Sequence, residues 1–506
     1  MTDPTPRSSH PRPARILAVA AALLAVFAAC SAPTQTAAPT RTLAVGATLE
    51  PQSTNPWDDT SASIPQVLLY NVYETLVKVD STGGLQPLLA QTWELDATRT
   101  QYTFHLNPAA KFASGAPVDA AAVVANIGRL KSDARLTQTL KEQLAVVDSA
   151  TAIDPTQVRI TLTRPSVMWL YDMSSTLGMM VDPANTESLD NHTAGSGPYA
   201  VVAHNRGQSV VLKRSETYWG TPPNFDEVTF RYFLDPNAMN AAMLSGELDI
   251  ISNLQAPDAL PQFADASRFT TTVGTTNGEI VLGLNHSTDA LADSTVRQAL
   301  TMAIDRKALL DTVWAGQGTL IGTMDVPTDP WYEDLSNLYP YDPDKAKELL
   351  AQSGHDKLTL RLRVPTVPYA VKSAQFVASQ LRDIGVTAKV EELDFTRWIS
   401  EVLTNGDYDM TIVAHVEARD LGKFADPSYY WHNEDDEFAS LYRQADQAPP
   451  DEATDLMRQA ARRLADEAAA IWLFALPNIV VTKDVVSGVP VNATTLSFDL
   501  TSIAER

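Results

Sequence analysis

The densest group of side chains able to bind or react lies between residues 415 and 420. His415, Glu417, Arg419 and Asp420 place an imidazole, two carboxylates and a guanidinium close together in sequence. They directly follow residues 408–414, an apolar run typical of a buried strand. These side chains could contact a ligand, or Arg419 and Asp420 could form an internal ion cluster with Glu417 that clamps the loop. The sequence leaves both alternatives open.

Common catalytic and metal-binding motifs do not occur in this sequence. It has no G-x-S-x-G elbow, no Walker A loop and no zinc-binding helix, and no two of its eight His are spaced four apart. Residues 195–198 do not form a nucleotide loop, because a third Gly is missing and Pro198 lacks a backbone donor. A structural role is favoured for His415 over metal ligation. We therefore predict no enzyme activity, no metal site and no cofactor.

The second half of the chain alternates between strand and helix patterns. Asp342 and Pro343 suit a helix start, and Gly354 suits its end. The segments predicted after it are strand 358–362, helix 372–384, strand 386–390, helix 398–403 and strand 408–414. Such βαβ order implies a mostly parallel sheet, whose ligands bind beyond the carboxyl ends of the strands. The 415–420 cluster is expected at that edge.

Further candidate binding residues follow predicted strand or helix ends. Tyr369 and Trp398 are expected along the same crevice, where aromatic rings could cover a ligand, and core packing is equally open for both. Asn55 and Trp57 follow a first strand beginning near residue 41. Both could contact a ligand from the other side of the crevice, and Trp57 could equally be a contact between structural units.

The N-terminus carries the pattern of an export signal. Basic residues precede an apolar run over 16–29, which is shorter than the roughly 20 residues of a membrane-spanning helix. Residues 1–29 are therefore predicted to be a signal peptide. Residues 31–40 are rich in Pro, Ala and Thr and uncharged, which is typical of a disordered tether.

The single cysteine of the chain, Cys30, follows Ala28 and Ala29. Bacterial lipoproteins are acylated at this position, although Phe27 departs from the usual Leu of the lipobox. We expect lipid on Cys30 to anchor the exported protein to the outer face of the cytoplasmic membrane. The alternative is that Cys30 is a small residue of an ordinary signal peptide.

The formal net charge of the chain is −23, with 61 acidic and 38 basic residues. A field of this sign repels nucleic acid and anionic membrane surfaces, so neither is expected as a direct partner. One Cys excludes an internal disulfide.

Short motifs in a fixed order carry a resemblance to a known family. They are residues 71–77 (NVYETLV), 87–90 (PLLA), 102–106 (YTFHL), 111–115 (KFASG), 195–199 (GSGPY), 218–220 (YWG), 245–249 (SGELD), 296–300 (VRQAL), 303–306 (AIDR) and 341–343 (YDP). The chain resembles the peptide/nickel family (family 5) of extracytoplasmic solute-binding proteins of ATP-driven importers. Residues 415–420 depart from the family's Gly/Trp-rich turn, so the resemblance leaves the ligand class open.

The resemblance implies an α/β, periplasmic-binding-protein-like fold (type II, cluster C) with two lobes and an extra subdomain. The expected boundaries are a signal peptide over 1–29, the lipidated Cys and tether over 30–40, lobe I over 41–75, 195–273 and 482–506, the extra subdomain over 76–194, and lobe II over 274–481. The expected protein is a monomer that closes on its ligand by a hinge.

The resemblance also implies a function. The protein is expected to capture short peptides between its lobes and to deliver them to an ABC permease in the membrane. By position, Asp420 would hold the α-amine of the peptide, and Arg419 a ligand carboxylate, since its planar fork suits bidentate pairing. The alternatives are another small solute, such as a nickel chelate, on the same scaffold, or a regulatory lipoprotein without a transport role.

Overall fold

The computed structural model describes residues 40–57, 61–185, 187–190 and 192–506. The predicted signal peptide, the predicted lipidation site at Cys30 and the tether up to residue 39 lie outside the described residues. Residues 41–506 form one unit of packed structure. None of the described helices is long and apolar enough to cross a membrane.

The strands, in chain order, are β1 Thr42–Ala47, β2 Val77–Val79, β3 Leu85–Pro87, β4 Ala90–Leu95, β5 Gln101–Leu106, β6 Val147–Asp154, β7 Gln157–Leu162, β8 Tyr199–Asn205, β9 Ser209–Arg214, β10 Glu227–Tyr232, β11 Ile250–Ile251, β12 Phe269–Leu284, β13 Leu358–Pro365, β14 Val386–Leu393, β15 Met410–His415, β16 Ile471–Lys483, β17 Val486–Ser487 and β18 Ala504–Glu505.

The α-helices are α1 Ser63–Leu68, α2 Ala120–Ser132, α3 Gln138–Leu144, α4 Trp169–Asp172, α5 Pro236–Ser245, α6 Asp289–Ala292, α7 Ser294–Met302, α8 Arg306–Trp314, α9 Pro343–Gln352, α10 Pro368–Asp383, α11 Phe395–Trp398, α12 Asp436–Gln447 and α13 Pro450–Asp466. Short 3₁₀ turns cover Thr176–Gly178, Pro257–Phe263 and Asp420–Ala425, and a π-helical turn covers Ile399–Thr404.

The main sheet has the strand order β14-β13-β15-β12-β16-β11-β1-β10-β9-β8. β13 runs parallel to β14 and β15, as the βαβ pattern predicts. The long central strands β12 and β16 are antiparallel to each other, and β12 is antiparallel to β15. The expectation of a mostly parallel sheet is therefore wrong at the centre, because pairing between segments some 200 residues apart leaves no local sequence pattern.

Helix α10 shows why the second half folds as the pattern predicts. It begins at Pro368, four residues before the predicted start, because Pro fits the first helical position. Its buried side chains include Ala370, Ala374, Val377 and Leu381, at the spacing of one helix face. This face packs on β13 and β14.

A separate four-stranded antiparallel sheet has the order β4-β5-β7-β6. Its inward side chains alternate along β5 and β7, as the period-2 pattern predicts. Helix α2 packs on it, and Trp169 of α4 lies against Tyr102 with 4.8 Å between ring centroids. Helix α4 is thereby fixed to this sheet.

Three of the recognised motifs meet at one buried carboxylate, that of Glu74. It accepts hydrogen bonds from Ser196 Oγ at 2.8 Å, Tyr218 Oη at 2.8 Å and Trp219 Nε1 at 2.9 Å. Burial raises the pKa of Glu74 to about 7, against the lowering effect of these three donors. The three motifs therefore hold the framework of the fold together at Glu74 and do not form a ligand site.

Candidate functional site

The polar loop begins where β15 ends, at His415, and turns sharply at Arg419. Arg419 has φ +59°, in the left-handed region that non-glycine residues seldom occupy. The turn sends the Arg419 side chain away from Asp420, which begins the following 3₁₀ turn. The backbone thus separates two neighbouring charges that the sequence could have paired.

A cavity of about 330 Å³ lies beside this loop. Glu417, Arg419 and Asp420 line it, so the structure brings three of the predicted residues to one site. The remaining walls come from other parts of the chain and include Glu142, Gln143, Arg164, Tyr171, Asp172, Ser174, Asn277, Lys423, Tyr442, Asp446 and Thr494. The cavity therefore opens between the four-stranded sheet with its helices and the loop after β15.

Arg419 is engaged by protein groups on several sides. Its Cζ lies 3.6 Å from the centroid of Tyr171 and 5.3 Å from that of Trp331, and its Nη2 donates to Gly83 O at 3.0 Å. Its Nε lies 3.7 Å from Asp329 Oδ1. These contacts hold the guanidinium against the Tyr171 ring and near the Trp331 ring, so Arg419 ties distant segments together at the cavity wall.

Asp420 is 8% exposed, and its two carboxylate oxygens have different surroundings. Oδ2 lies 3.5 Å from His415 Nδ1, whereas Oδ1 has no hydrogen-bond partner among the described residues. The other ring nitrogen of His415 lies 2.9 Å from Tyr430 Oη. His415 does not line the cavity but stands behind Asp420 and orients it.

Three further buried carboxyl groups lie behind the loop, at positions that no local sequence pattern indicates. Burial raises the pKa of Glu279 well above its usual value, and the nearby charges of Asp420, Asp329 and Asp325 raise it further. Burial likewise raises the pKa of Asp325, and it raises that of Asp329 to about 6 against the lowering effect of Arg419. His415 pairs with Glu279 across β15 and β12, which brings Glu279 close to the loop although the two residues are far apart in sequence.

The internal clamp of Glu417 with Arg419 does not form. Glu417 faces Lys423 instead, with 3.9 Å between Oε2 and Nζ, and the same Nζ lies 3.7 Å from Glu142 Oε2. Burial raises the pKa of Glu417, and Lys423 opposes that rise. The loop is thus connected across the cavity to α3 through Lys423.

Asp446 of α12 makes a second connection across the cavity. Its carboxylate accepts hydrogen bonds from Arg164 Nη1 at 2.5 Å, Ser166 Oγ at 2.7 Å and the Met168 backbone N–H at 3.2 Å. With 5% exposure, this acid is buried and well paired. It fixes the segment between β7 and α4 against α12.

Asp172, at the end of α4, lacks such pairing. Its hydrogen bond comes from the neutral amide of Gln143, at 3.1 Å. Burial raises the pKa of Asp172 to about 7, and the charges of Asp446 and Glu417 add to that rise while Arg419 and Lys423 oppose it. The cavity wall therefore contains an acid whose charge is poorly compensated.

The predicted aromatic residues Trp398 and Tyr369 lie outside the cavity lining. Trp398 is buried and donates from Nε1 to Thr411 Oγ1 at 3.0 Å, while the Tyr369 hydroxyl accepts from the Ala414 backbone N–H at 2.9 Å. Both side chains brace β15 from the side, so they position the strand that carries the loop.

Asn55 and Trp57 also lie outside the lining. Asn55 Oδ1 accepts from the Trp57 backbone N–H at 3.2 Å, and Trp57 Nε1 donates to Thr176 O at 3.2 Å. Thr176 does line the cavity, so these two residues support its wall from behind. Within the described parts of the chain, no three His, Cys, Asp or Glu side chains are grouped so that they could hold a metal ion.

Residues 84–437 match the family described as bacterial extracellular solute-binding proteins, family 5 Middle, and the chain belongs to this family. The predicted family is thereby confirmed.

Relatives and solved structures agree with this assignment. The chain is 28% identical over 387 residues to the glutathione-binding protein GsiB of Pectobacterium atrosepticum, covering 72% of this chain and 71% of the relative. It is 28% identical over 357 residues to GsiB of Escherichia coli K12, covering 69% of each.

Two solved structures share the fold. NikA from Brucella suis, in complex with Fe(III)-EDTA, has a TM-score of 0.81 at 23% identity, covering 92% of this chain and 100% of that one. DppA from Helicobacter pylori, in complex with the peptide STSA, has a TM-score of 0.76 at 19% identity, covering 92% and 98%. The predicted periplasmic-binding-protein-like α/β fold is confirmed.

Proposed function

We propose that this protein captures short peptides in the cavity beside residues 417–420 and delivers them to an ABC permease. The observation that carries the proposal is Asp420, which lines the cavity and whose Oδ1 is buried without a hydrogen-bond partner among the described residues. A buried carboxylate is costly unless it meets a cation or donors, and the α-ammonium of a peptide supplies both.

The proposed lobes follow the sheet and the cavity. Residues 41–75, 195–273 and 482–506 form lobe I, 76–194 form its extra subdomain, and 274–481 form lobe II. In support, the four-stranded sheet lies within the subdomain segment, and β13–β15 lie within that of lobe II. Cavity residues come from both, so hinge movement between them would open and close the site.

Arg419 has a different role in this proposal from the one expected from sequence. Its guanidinium stacks on Tyr171, lies near Trp331 and Asp329, and donates to Gly83 O. We infer that Arg419 is a positioning residue that holds the cavity wall, and that the ligand carboxylate is bound by other groups. The alternative is that Arg419 pairs directly with a ligand carboxylate. Substitution of Arg419 tests this alternative.

The proposal includes export and anchoring. We infer that residues 1–29 are removed and that lipid on Cys30 holds the mature protein at the outer face of the cytoplasmic membrane, where it acts as a monomer. Membership of an extracellular family and the apolar run before Cys30 support this location.

Glutathione is a specific candidate within the peptide class. The relatives that are 28% identical are glutathione-binding proteins, and glutathione is a modified tripeptide with one ammonium group. A nickel chelate is the competing candidate, since the NikA fold binds metal complexes in the structure with Fe(III)-EDTA.

The test is calorimetric titration of the purified protein with di- to hexapeptides, glutathione and a nickel–histidine complex. We expect binding of one or more peptides, and a loss of roughly 2–5 kcal/mol of binding free energy in Asp420→Asn. Asp426→Asn is the matched control, because Asp426 is exposed and lies outside the cavity lining. The proposal would be overturned if no peptide binds while the nickel complex does. It would also be overturned if folded Asp420→Asn binds peptides with unchanged affinity.

A further inference from the structure

The charges on the cavity wall are unequal in number. The acidic residues that line it are Glu142, Asp172, Glu417, Asp420 and Asp446. The basic residues that line it are Arg164, Arg419 and Lys423. The wall therefore has a negative excess before any ligand enters.

Each basic residue of the wall lies close to particular acidic residues. Arg164 Nη1 lies 2.5 Å from Asp446 Oδ2, and Lys423 lies between Glu417 and Glu142. Arg419 faces Asp329, which stands behind the wall rather than in it. Arg419 and Lys423 act on Asp172 only from a distance, and no base of the described wall forms an ion pair with Asp172 or Asp420.

These two remaining acids belong to different walls of the cavity. Asp420 follows β15, and one of its oxygens is buried without a partner among the described residues. Asp172 ends α4, which packs on the four-stranded sheet, and its hydrogen-bond donor is a neutral amide. A ligand spanning the cavity would meet a negative group at each of two walls.

We propose that the preferred ligand is a short peptide with a basic side chain, whose second positive charge pairs with Asp172. The inference rests on the proposed function, in which Asp420 holds the α-ammonium group. Two separated cations match the two uncompensated acids, whereas an acidic side chain would add to the negative excess of the wall. The site thereby selects by charge, so glutathione, with its single ammonium group, should bind more weakly than a basic peptide.

The experiment uses tripeptides that carry Lys, norleucine or Glu at each position in turn, titrated into the purified protein. Norleucine matches much of the Lys stem without its charge, so the ratio of the two affinities isolates the second cation. We expect the Lys form to bind at least tenfold more tightly than the norleucine form at one position, and the Glu form to bind more weakly than both.

The variant Asp172→Asn should reduce the Lys-to-norleucine ratio to within about threefold and leave norleucine peptides bound as before. Asp148→Asn, at an exposed acid on β6, is the matched control and should keep the full ratio.

Equal affinity for Lys and norleucine forms in the unaltered protein would overturn the inference while leaving peptide binding intact. That comparison uses only the unaltered protein, so it does not depend on the folding of any variant. A ratio that persists in folded Asp172→Asn would also overturn it, and absence of binding by every tripeptide would contradict the proposed function itself.

Discussion

The guanidinium of Arg419 stacks on the ring of Tyr171, with 3.6 Å between Cζ and the ring centroid. This contact joins the loop after β15 to helix α4, and the hydrogen bond to Gly83 O joins it to the turn between β2 and β3. One side chain thus links segments that lie far apart in sequence. Its removal should affect the architecture of the cavity as much as its charge.

Arg419→Ala should lower the free energy of unfolding by about 3 kcal/mol, because it leaves Asp329 buried without its cation. Adding Asp329→Asn should recover part of this loss, since the neutral amide needs no counter-charge. Urea unfolding of the single and double variants measures both effects. If Arg419→Ala keeps full stability and yet abolishes binding, Arg419 contacts the ligand and is not a positioning residue.

Asp446→Asn should loosen the connection between α12 and residues 164–168. Its carboxylate receives three hydrogen bonds, and Arg164 would lose its charged partner, so we expect a loss of about 1–3 kcal/mol in stability. Amide hydrogen exchange should accelerate at residues 164–168. Asp451→Asn, on the exposed start of α13, provides the comparison and should leave that exchange unchanged.

Glu74 should make folding stability fall as pH rises. Its folded pKa of about 7 lies above its unfolded value, so its contribution is complete below about pH 4.5 and is lost as pH rises through 7. Burial of His286, which lowers its pKa to about 4, acts in the opposite direction up to about pH 6.5.

Because His286 has the opposite pH dependence, the test compares how the free energy of unfolding changes with pH in Glu74→Gln and in the unaltered protein. Between pH 5 and pH 8, the unaltered protein should lose up to about 3 kcal/mol more than the variant. Denaturant unfolding at both pH values gives this difference. Parallel pH profiles for the two proteins would show that Glu74 is ionised at no cost in the folded state.

Cys30→Ser should release the protein from the membrane fraction of cells, because no acyl chain can attach to it. Phe27→Leu restores the usual lipobox residue and should keep the protein in that fraction. Mass spectrometry of the N-terminal peptide checks the acylation directly. Membrane retention of Cys30→Ser would mean that another contact holds the protein there.

Features that depend on neighbouring residues could be predicted from the sequence. Asp342 accepts from the Lys345 backbone N–H at 2.9 Å, and Gly354 has φ +79°, as the cap pattern of α9 requires. The position of the 415–420 loop beyond β15 also follows from local periodicity. The ordered motifs indicated the family. They are framework segments, such as the three that meet at Glu74.

The rest of the site depends on contacts that no local pattern encodes. Asp172 and Asp446 reach the cavity only because the four-stranded sheet and α12 meet there. Arg419 and Asp420 are adjacent in sequence, yet the left-handed turn at Arg419 gives them different partners. Trp398 carried the right chemistry for a ligand contact, but its Nε1 reaches Thr411 within the core.

Mass spectrometry of the solute that co-purifies with the protein tests the central proposal most directly. Protein purified without added ligand, and then denatured to release the cavity contents, should yield short peptides. Asp420→Asn purified in parallel should yield much less of them. Release of a sugar, a metal chelate or another non-peptide solute from the unaltered protein, with no peptide present, would contradict the account.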